Sequence, residues 1–202
     1  DLIRSRGLGD VYKRQLINIQ EKIKNRLIDL KSKKQPKIIA VSKTFGMDKI
    51  SPLIEYGHDH YGENRVQEAV TKWSELKSNN SKLKLHLIGK LQTNKAKDAI
   101  RLFDYIHSVD SQKLADVLAK HQMSLKKNLK YFIQVNIANE IQKSGIPVGE
   151  LDPFYNYCKN EINLNIQGLM VIPPNDNNSE KYFKSLNKLN KSLALQDLSM
   201  GM

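Results

Sequence analysis

The feature that most constrains the fold is an apolar run at residues 38–43, which reads Ile-Ile-Ala-Val-Ser-Lys and breaks at once into Thr-Phe-Gly. A nearly continuous hydrophobic strand is typical of parallel sheets that are covered by helices on both faces. Because side chains alternate along a strand, Lys43 shares one face with Val41. In a barrel, Lys43 would therefore point inward at the mouth, where partial desolvation lowers the pKa of an amine and makes it nucleophilic.

Strand and helix patterns alternate along the rest of the chain. Short apolar runs predict further strands at residues 60–64, 84–89, 105–110, 131–136 and 166–172, with the start of another at 198–202. Helical spacing of apolar residues predicts helices at residues 16–31, from 48 or 51 to 57, and at 65–76, 94–102, 111–122, 148–160 and 179–193. This alternation favours right-handed crossovers and a parallel sheet. Seven strands with polar residues at their ends favour a (βα)8 barrel of the TIM type over an open sheet.

Length and composition restrict the class of protein. A chain of 202 residues can bury one sizeable core, and its 40% hydrophobic and 27% charged residues are typical of a globular domain. We find neither an apolar run long enough to cross a membrane nor a signal-peptide pattern, and we expect a cytoplasmic location. The single cysteine, Cys158, excludes an internal disulfide and fits a small buried hydrophobic residue.

The net charge of +12 raises the possibility of nucleic-acid binding. The lysines, however, are spread along the chain, and aromatic residues are not interleaved with them as in a stacking platform for single strands. We therefore expect no specific nucleic-acid partner and no membrane partner.

Several short motifs follow one another along the chain. They are residues 40–43 (Ala-Val-Ser-Lys), 57–58 (Gly-His), 61–68 (Tyr-Gly-Glu-Asn-Arg-Val-Gln-Glu), 86–89 (His-Leu-Ile-Gly), 91–95 (Leu-Gln-Thr-Asn-Lys), 134–136 (Gln-Val-Asn), 143–145 (Lys-Ser-Gly), 168–172 (Gly-Leu-Met-Val-Ile) and 198–202 (Leu-Ser-Met-Gly-Met). Each is weak alone, but their order and spacing resemble those of the pyridoxal phosphate homeostasis family over nearly all of residues 16–202. The barrel of that family is similar to the N-terminal domain of alanine racemase.

The resemblance implies a cofactor and a role for individual residues. It implies that the protein binds pyridoxal 5′-phosphate (PLP) for vitamin B6 homeostasis, holds it as a Schiff base on Lys43, and has no established turnover. It places Ser199 and Gly201 near the phosphate, where a hydroxyl and backbone N–H groups next to a glycine can contact an anion. PLP-dependent apoenzymes are possible recipients, and the full-length protein is expected to be monomeric.

Three further candidate contacts each have a structural alternative. Asn64 could hydrogen-bond a cofactor ring oxygen or cap the helix that follows it. His86 could contact the ring or be a satisfied core histidine. Met170 could touch the cofactor, although core packing explains it at least as well.

Other functions remain open at this point. The same lysine would serve a PLP-dependent amino-acid racemase with Tyr61, His86 or Lys143 as a second base, or an aldolase that uses no cofactor. Residues 1–15 resemble a non-native or disordered leader, so we assign residues 16–202 to a single barrel domain. Relatives continue past the last motif, so we expect a truncated barrel that lacks its final strand and helix and is open on one side.

Overall fold

The computed structural model describes residues 2–138, 140 and 144–200, with side chains from residue 11 onward. The strands are β1 (Ala40–Val41), β2 (His60–Glu63), β3 (Lys84–Leu87), β4 (Tyr105–Val109), β5 (Lys130–Asn136), β6 (Ile146–Pro147), β7 (Ile166–Val171) and β8 (Asp197–Met200). The α-helices are α1 (Leu2–Asp29), α2 (Met47–Glu55), α3 (Val66–Asn79), α4 (Ala96–Leu102), α5 (Gln112–Ser124), α6 (Leu151–Asn156) and α7 (Ser179–Ser192). Shorter helical turns are Thr93–Lys95, Val148–Glu150 and Tyr157–Glu161.

The strands form a parallel sheet in the order β1-β2-β3-β4-β5-β7-β8, while β6 pairs with β5 alone. The predicted alternation of helices with seven parallel strands is confirmed. The sequence pattern missed β6, because two residues are too few to show a period. Within the described part of the chain, β1 and β8 pair on one side only and are the two edges of the sheet.

A side-chain contact shows how strongly this sheet is curled. Strands β4 and β8 are three strand spacings apart, or about 14 Å across a flat sheet. Nevertheless, His107 on β4 and Ser199 on β8 lie 2.7 Å apart, Nδ1 to Oγ. The sheet must therefore bend around an interior, as in an incomplete TIM-type barrel, and the inner face of its strands lines that interior.

The outer face of the sheet packs against the helices. The large buried side chains of this core come from both the strands and the helices and include Trp73, Leu85, Leu87, Ile106, Leu114, Leu118, Tyr131 and Ile133. One glycine on β7 is required by close packing, because a Cβ on Gly168 would lie 1.8 Å from the carbonyl oxygen of Asp197. None of the helices in the described residues has the length and apolar character needed to cross a membrane.

Several boundaries differ from the predicted ones. Helix α1 begins at Leu2, although the apolar spacing predicts a start at residue 16. The predicted strand at residues 38–43 has only two residues in β1, because an edge strand has one neighbour to define it. The predicted serine cap is confirmed, since the Ser111 hydroxyl accepts from the N–H of Leu114 at the start of α5. The predicted helix at 148–160 is divided into three helical segments.

Candidate functional site

Lys43 follows β1 at the carboxyl end of the sheet. Ser42 still donates its N–H to the carbonyl of Gly62, and a turn then returns the chain so that Phe45 donates to the carbonyl of Ser42. The Lys43 side chain is exposed, so the partial desolvation expected from the sequence is not observed. The reason is that β1 is an edge strand, with a described neighbour on one side only. No hydrogen bond or ion pair joins Lys43 to another described residue.

A buried carboxylate anchors the residue that precedes Lys43. Glu63 Oε1 accepts from the hydroxyl of Ser42 at 2.8 Å and from the ammonium of Lys72 at 2.9 Å. The indole N–H of Trp73 donates to the same oxygen at 2.9 Å. Lys72 also donates to the carbonyl oxygen of Ser42 at 2.7 Å. This set of four residues, the Glu63 cluster, fixes both the side chain and the backbone of Ser42 on the helix side of the sheet.

Ser42 faces the helix side, and Lys43 begins the turn that follows it, so strand alternation does not fix the direction of the Lys43 side chain and its inward orientation stays a prediction. Nearby side chains are apolar: Ile39, Val41 and Ile88 surround Gly62, where an added Cβ would lie 3.0 to 3.6 Å from their side chains. A Cβ at position 62 would crowd Ile39 and Ile88, so glycine lets these side chains pack closely over β2.

Asn64 lies at the carboxyl end of β2 and is half-buried. It does not cap the following helix: Arg65 is the N-cap of α3, and no side chain caps it. The backbone of Asn64 is held against Gly89, whose added Cβ would lie 2.3 Å from the Asn64 carbonyl oxygen. The side-chain amide makes no hydrogen bond with another described residue, which leaves it available to a ligand.

His86 lies in the interior within a row of hydrogen-bonded rings. His60 Nδ1 lies 2.8 Å from His86 Nε2, and His86 Nδ1 lies 2.9 Å from His107 Nε2. His107 Nδ1 in turn lies 2.7 Å from Ser199 Oγ. We call these four residues the histidine chain. Both ring nitrogens of His86 are engaged, as in a satisfied core histidine, and a cofactor contact through His86 stays a prediction.

Burial favours the neutral form of these rings by lowering the pKa of each. Desolvation, reinforced by His107 and His60, lowers the pKa of His86 to about 2. Desolvation also lowers the pKa of His107 to about 3. The pKa of His60 is lowered by burial as well, but the nearby Asp59 carboxylate opposes the change. His60 is thus the ring of the three that is best placed to accept a proton.

The remaining predicted contacts lie on the last strands. Met170 is buried on β7 and is aligned with Ser199 on β8, while Gln134 on β5 is aligned with Met170 on its other side. These three side chains therefore form one layer of the inner face. Ser199 is half-buried. Gly201 and Lys143 lie outside the described residues.

Two cavities lie at opposite ends of the sheet. One of about 280 Å³ lies at the carboxyl ends of β5 and β7, where Lys90, Gln134 and Ser144 line it. The other, of about 720 Å³, lies at the amino ends of β7 and β8, and none of the described candidate contacts lines either cavity. The smaller cavity is at the end where parallel strands of barrels carry their binding loops.

The structure also positions the residues proposed as a second base for a racemase. Tyr61 is fully buried among the helices, and its hydroxyl donates to the carbonyl oxygen of His58 at 3.0 Å. Burial raises the pKa of Tyr61. His86 has no ring nitrogen free. Neither residue is arranged to take a proton from a ligand near Lys43.

Sequence reasoning missed most of the two buried clusters. His60 and His107 were not singled out, although each lies on the same strand face as His86 once the strands are aligned. The signal that could have revealed them is that each is a polar residue at a strand position predicted to face the interior. The charged pair of Glu63 and Lys72 spans a strand and the next helix, and no local pattern reveals it.

Comparisons with known proteins place this geometry in context. The family model described as "Alanine racemase, N-terminal domain" matches residues 18–199. A pyridoxal phosphate homeostasis protein from Pasteurella multocida is 36% identical over 198 residues, which cover 93% of this chain and 85% of that protein.

Solved structures agree with the sequence relatives. PipY from Synechococcus elongatus, solved with PLP bound, is 35% identical and superimposes with a TM-score of 0.75 over 89% of each chain. An alanine racemase from Clostridium difficile has a TM-score of 0.63 at 14% identity, over 88% of this chain and 48% of its own. That second likeness concerns the fold alone.

Proposed function

The chain belongs to the alanine racemase N-terminal domain family and, within it, to the pyridoxal phosphate homeostasis proteins, and from this premise we propose that it binds PLP and serves in PLP homeostasis. The observation that carries the proposal is the likeness to PipY, a protein solved with PLP bound, across 89% of the chain at 35% identity. The family match at residues 18–199 includes every described residue at which a contact is predicted.

The residues of this chain fit such a ligand. Lys43 presents an amine with no competing partner among the described residues, next to the apolar side chains that pack over Gly62. The unpaired amide of Asn64 follows the neighbouring strand. Across the curled sheet, the half-buried hydroxyl of Ser199 is held by His107 and can contact a phosphate.

We assign a role to each candidate residue on this basis. When bound, PLP supplies an aldehyde that condenses with an uncharged amine to a Schiff base and releases water. Lys43 provides that amine, and the Glu63 cluster holds it at the strand end. Asn64 and Met170 orient the ligand, and Ser199 and Gly201 contact its phosphate. His86 contacts the cofactor ring from the interior of the barrel.

The experiment that tests this proposal is covalent trapping. PLP is added to the purified chain, the mixture is reduced with borohydride, and the modified residue is located by mass spectrometry. We expect a single major adduct at position 43 and its loss in Lys43→Ala. Lys90→Ala changes a different exposed lysine, which lines the cavity at the carboxyl ends of β5 and β7, and should keep the adduct.

An adduct spread over many surface lysines, or one that survives in Lys43→Ala, would contradict the assignment. Exchange of the α-proton of amino acids in deuterated water separates a holding function from catalysis. We expect no exchange above that given by free PLP, since neither Tyr61 nor His86 is positioned as a base.

A further inference from the structure

The histidine chain connects the amino end of β2, beside the half-exposed Asp59, with the hydroxyl of Ser199. Its outer end is Nε2 of His60, which lies 3.8 Å from Oδ1 of the half-exposed Asp59. Its inner end is Ser199 Oγ, 2.7 Å from His107 Nδ1. Between them, His86 bonds to both neighbouring rings. Four polar contacts therefore run in series from a surface carboxylate to a hydroxyl in the interior.

Such a series can be satisfied in only two ways when all rings are neutral. A neutral imidazole has one N–H donor and one acceptor nitrogen, so every ring must donate in the same direction along the series. If the rings donate towards Asp59, the proton of Ser199 is used to donate to His107. If they donate towards Ser199, the hydroxyl accepts from His107 and its own proton is free to bind a ligand.

The carboxylate at the outer end decides between these two arrangements. Asp59 favours a proton on His60 Nε2, so the neutral series donates towards Asp59 and Ser199 offers no donor to a ligand. If His60 gains a second proton, both of its nitrogens donate. His86 and His107 then carry their protons on Nδ1, and the hydroxyl of Ser199 turns outward.

We propose that His60, His86 and His107 are positioning residues that make Ser199 a donor to a phosphate group when the histidine chain takes up one proton. The proposal rests on the function proposed above, because the phosphate is that of PLP. The proton balance is one proton gained at His60 and none lost, with one N–H shifted from Nε2 to Nδ1 on each of the two buried rings. The positive charge stays on His60, next to Asp59.

The surroundings of His60 are consistent with a ring that titrates. Its pKa is lowered by burial, raised by Asp59, and lowered further by three other groups. The titratable or charged groups that face it are Asp59, His58, Lys37, Lys84, His86 and Tyr105. Asp59 is the single anion among them, so removing its charge should change the direction of the series.

The first test needs no ligand. We would label all histidines with ¹⁵N and follow both ring nitrogens of each by NMR through the titration of His60. We expect His86 and His107 to carry the proton on Nε2 at high pH and on Nδ1 once His60 is charged, while both stay neutral. If the two rings keep one tautomer throughout the titration, the proposal is overturned, whether or not the chain binds PLP.

The second test measures the linkage to phosphate. Pyridoxamine 5′-phosphate is the probe, because it lacks the aldehyde and leaves the Lys43 reaction out. Above the pKa of His60, one linked proton weakens binding up to about tenfold per pH unit. Asp59→Asn should remove this dependence, because the neutral series can then donate towards Ser199. Asp152→Asn, at an exposed position of α6, should retain it.

The probe ionises in the same way with every variant, so a difference in pH dependence between variants comes from the protein. An identical pH dependence in the native chain and Asp59→Asn would overturn the proposal. Failure of the native chain to bind PLP or this probe would instead refute the proposed function, and the NMR titration would still decide the behaviour of the histidine chain.

Discussion

Two buried polar clusters lie on opposite faces of the same sheet, and their polar groups are compensated in different ways. On the helix side, the Glu63 cluster places a completely buried carboxylate against an ammonium, a hydroxyl and an indole N–H. On the inner side, the histidine chain uses rings that burial keeps neutral. The first relies on opposite charges, whereas the second relies on matched donors and acceptors.

The difference has consequences for what each cluster can do. A buried ion pair has a single stable arrangement, because separating its charges leaves one of them without compensation. Neutral rings in series have two arrangements that differ in the position of protons alone. The Glu63 cluster is therefore suited to fix the strand end before Lys43, and the histidine chain is suited to respond to its ligand.

Breaking the ion pair should give the largest change. Lys72→Met leaves Glu63 buried without its cation, and we expect the free energy of unfolding to fall by about 3–5 kcal/mol. Urea denaturation measures this loss. The matched control Lys97→Met, at an exposed position of α4, should change stability by less than about 0.5 kcal/mol.

A double variant sharpens this test. Glu63→Gln combined with Lys72→Met removes both charges and should recover part of the lost stability. A loss of less than about 1 kcal/mol in Lys72→Met alone would mean that the pair does not differ in strength from a surface pair.

Lowering the pH should give the second largest loss of stability, because the buried histidines of the histidine chain resist protonation. In the unfolded chain the histidines titrate near 6.5, whereas the folded pKa values of His86 and His107 are about 2 and about 3. The unfolded state therefore binds more protons below pH 6.5, and stability falls as the pH falls. The expected slope between pH 6.5 and 5 is up to about 1.4 kcal/mol per pH unit for each buried histidine.

Denaturation at several pH values checks this slope. His86→Leu should reduce the slope of unfolding free energy with pH by the contribution of one buried histidine, up to about 1.4 kcal/mol per pH unit. His121→Gln, outside the histidine chain, should leave the slope unchanged. If His86→Leu leaves the slope unchanged, His86 already carries a proton in the folded chain near pH 5.

Removing the candidate nucleophile should give the smallest change in stability. Lys43 is exposed and has no described partner, so Lys43→Ala should alter the free energy of unfolding by less than about 0.5 kcal/mol. The same urea measurement tests this expectation. A larger loss would show that Lys43 helps to hold β1 in place, and the trapping experiment would then need a shape-conserving variant such as Lys43→Met.

Much of the fold could be predicted because each element carries its own local period. The order of helices and strands, the serine cap at Ser111 and the position of Lys43 at a strand end all follow from such patterns. The exposure of Lys43 could not be predicted, because it depends on which strands flank β1. Strand β6 was also missed, since a pair of residues has no measurable period.

The sequence by itself determined the alternating elements, the family and the position of Lys43 at a strand end, since each depends on residues close together in the chain or on motifs in a fixed order. Tertiary structure alone decided which distant polar groups meet. Glu63 finds Lys72 through the packing of a helix on its strand, and His107 reaches Ser199, 92 positions away, because the sheet curls. Register and curvature arise from the packing of the whole sheet, so no single segment of the sequence encodes them.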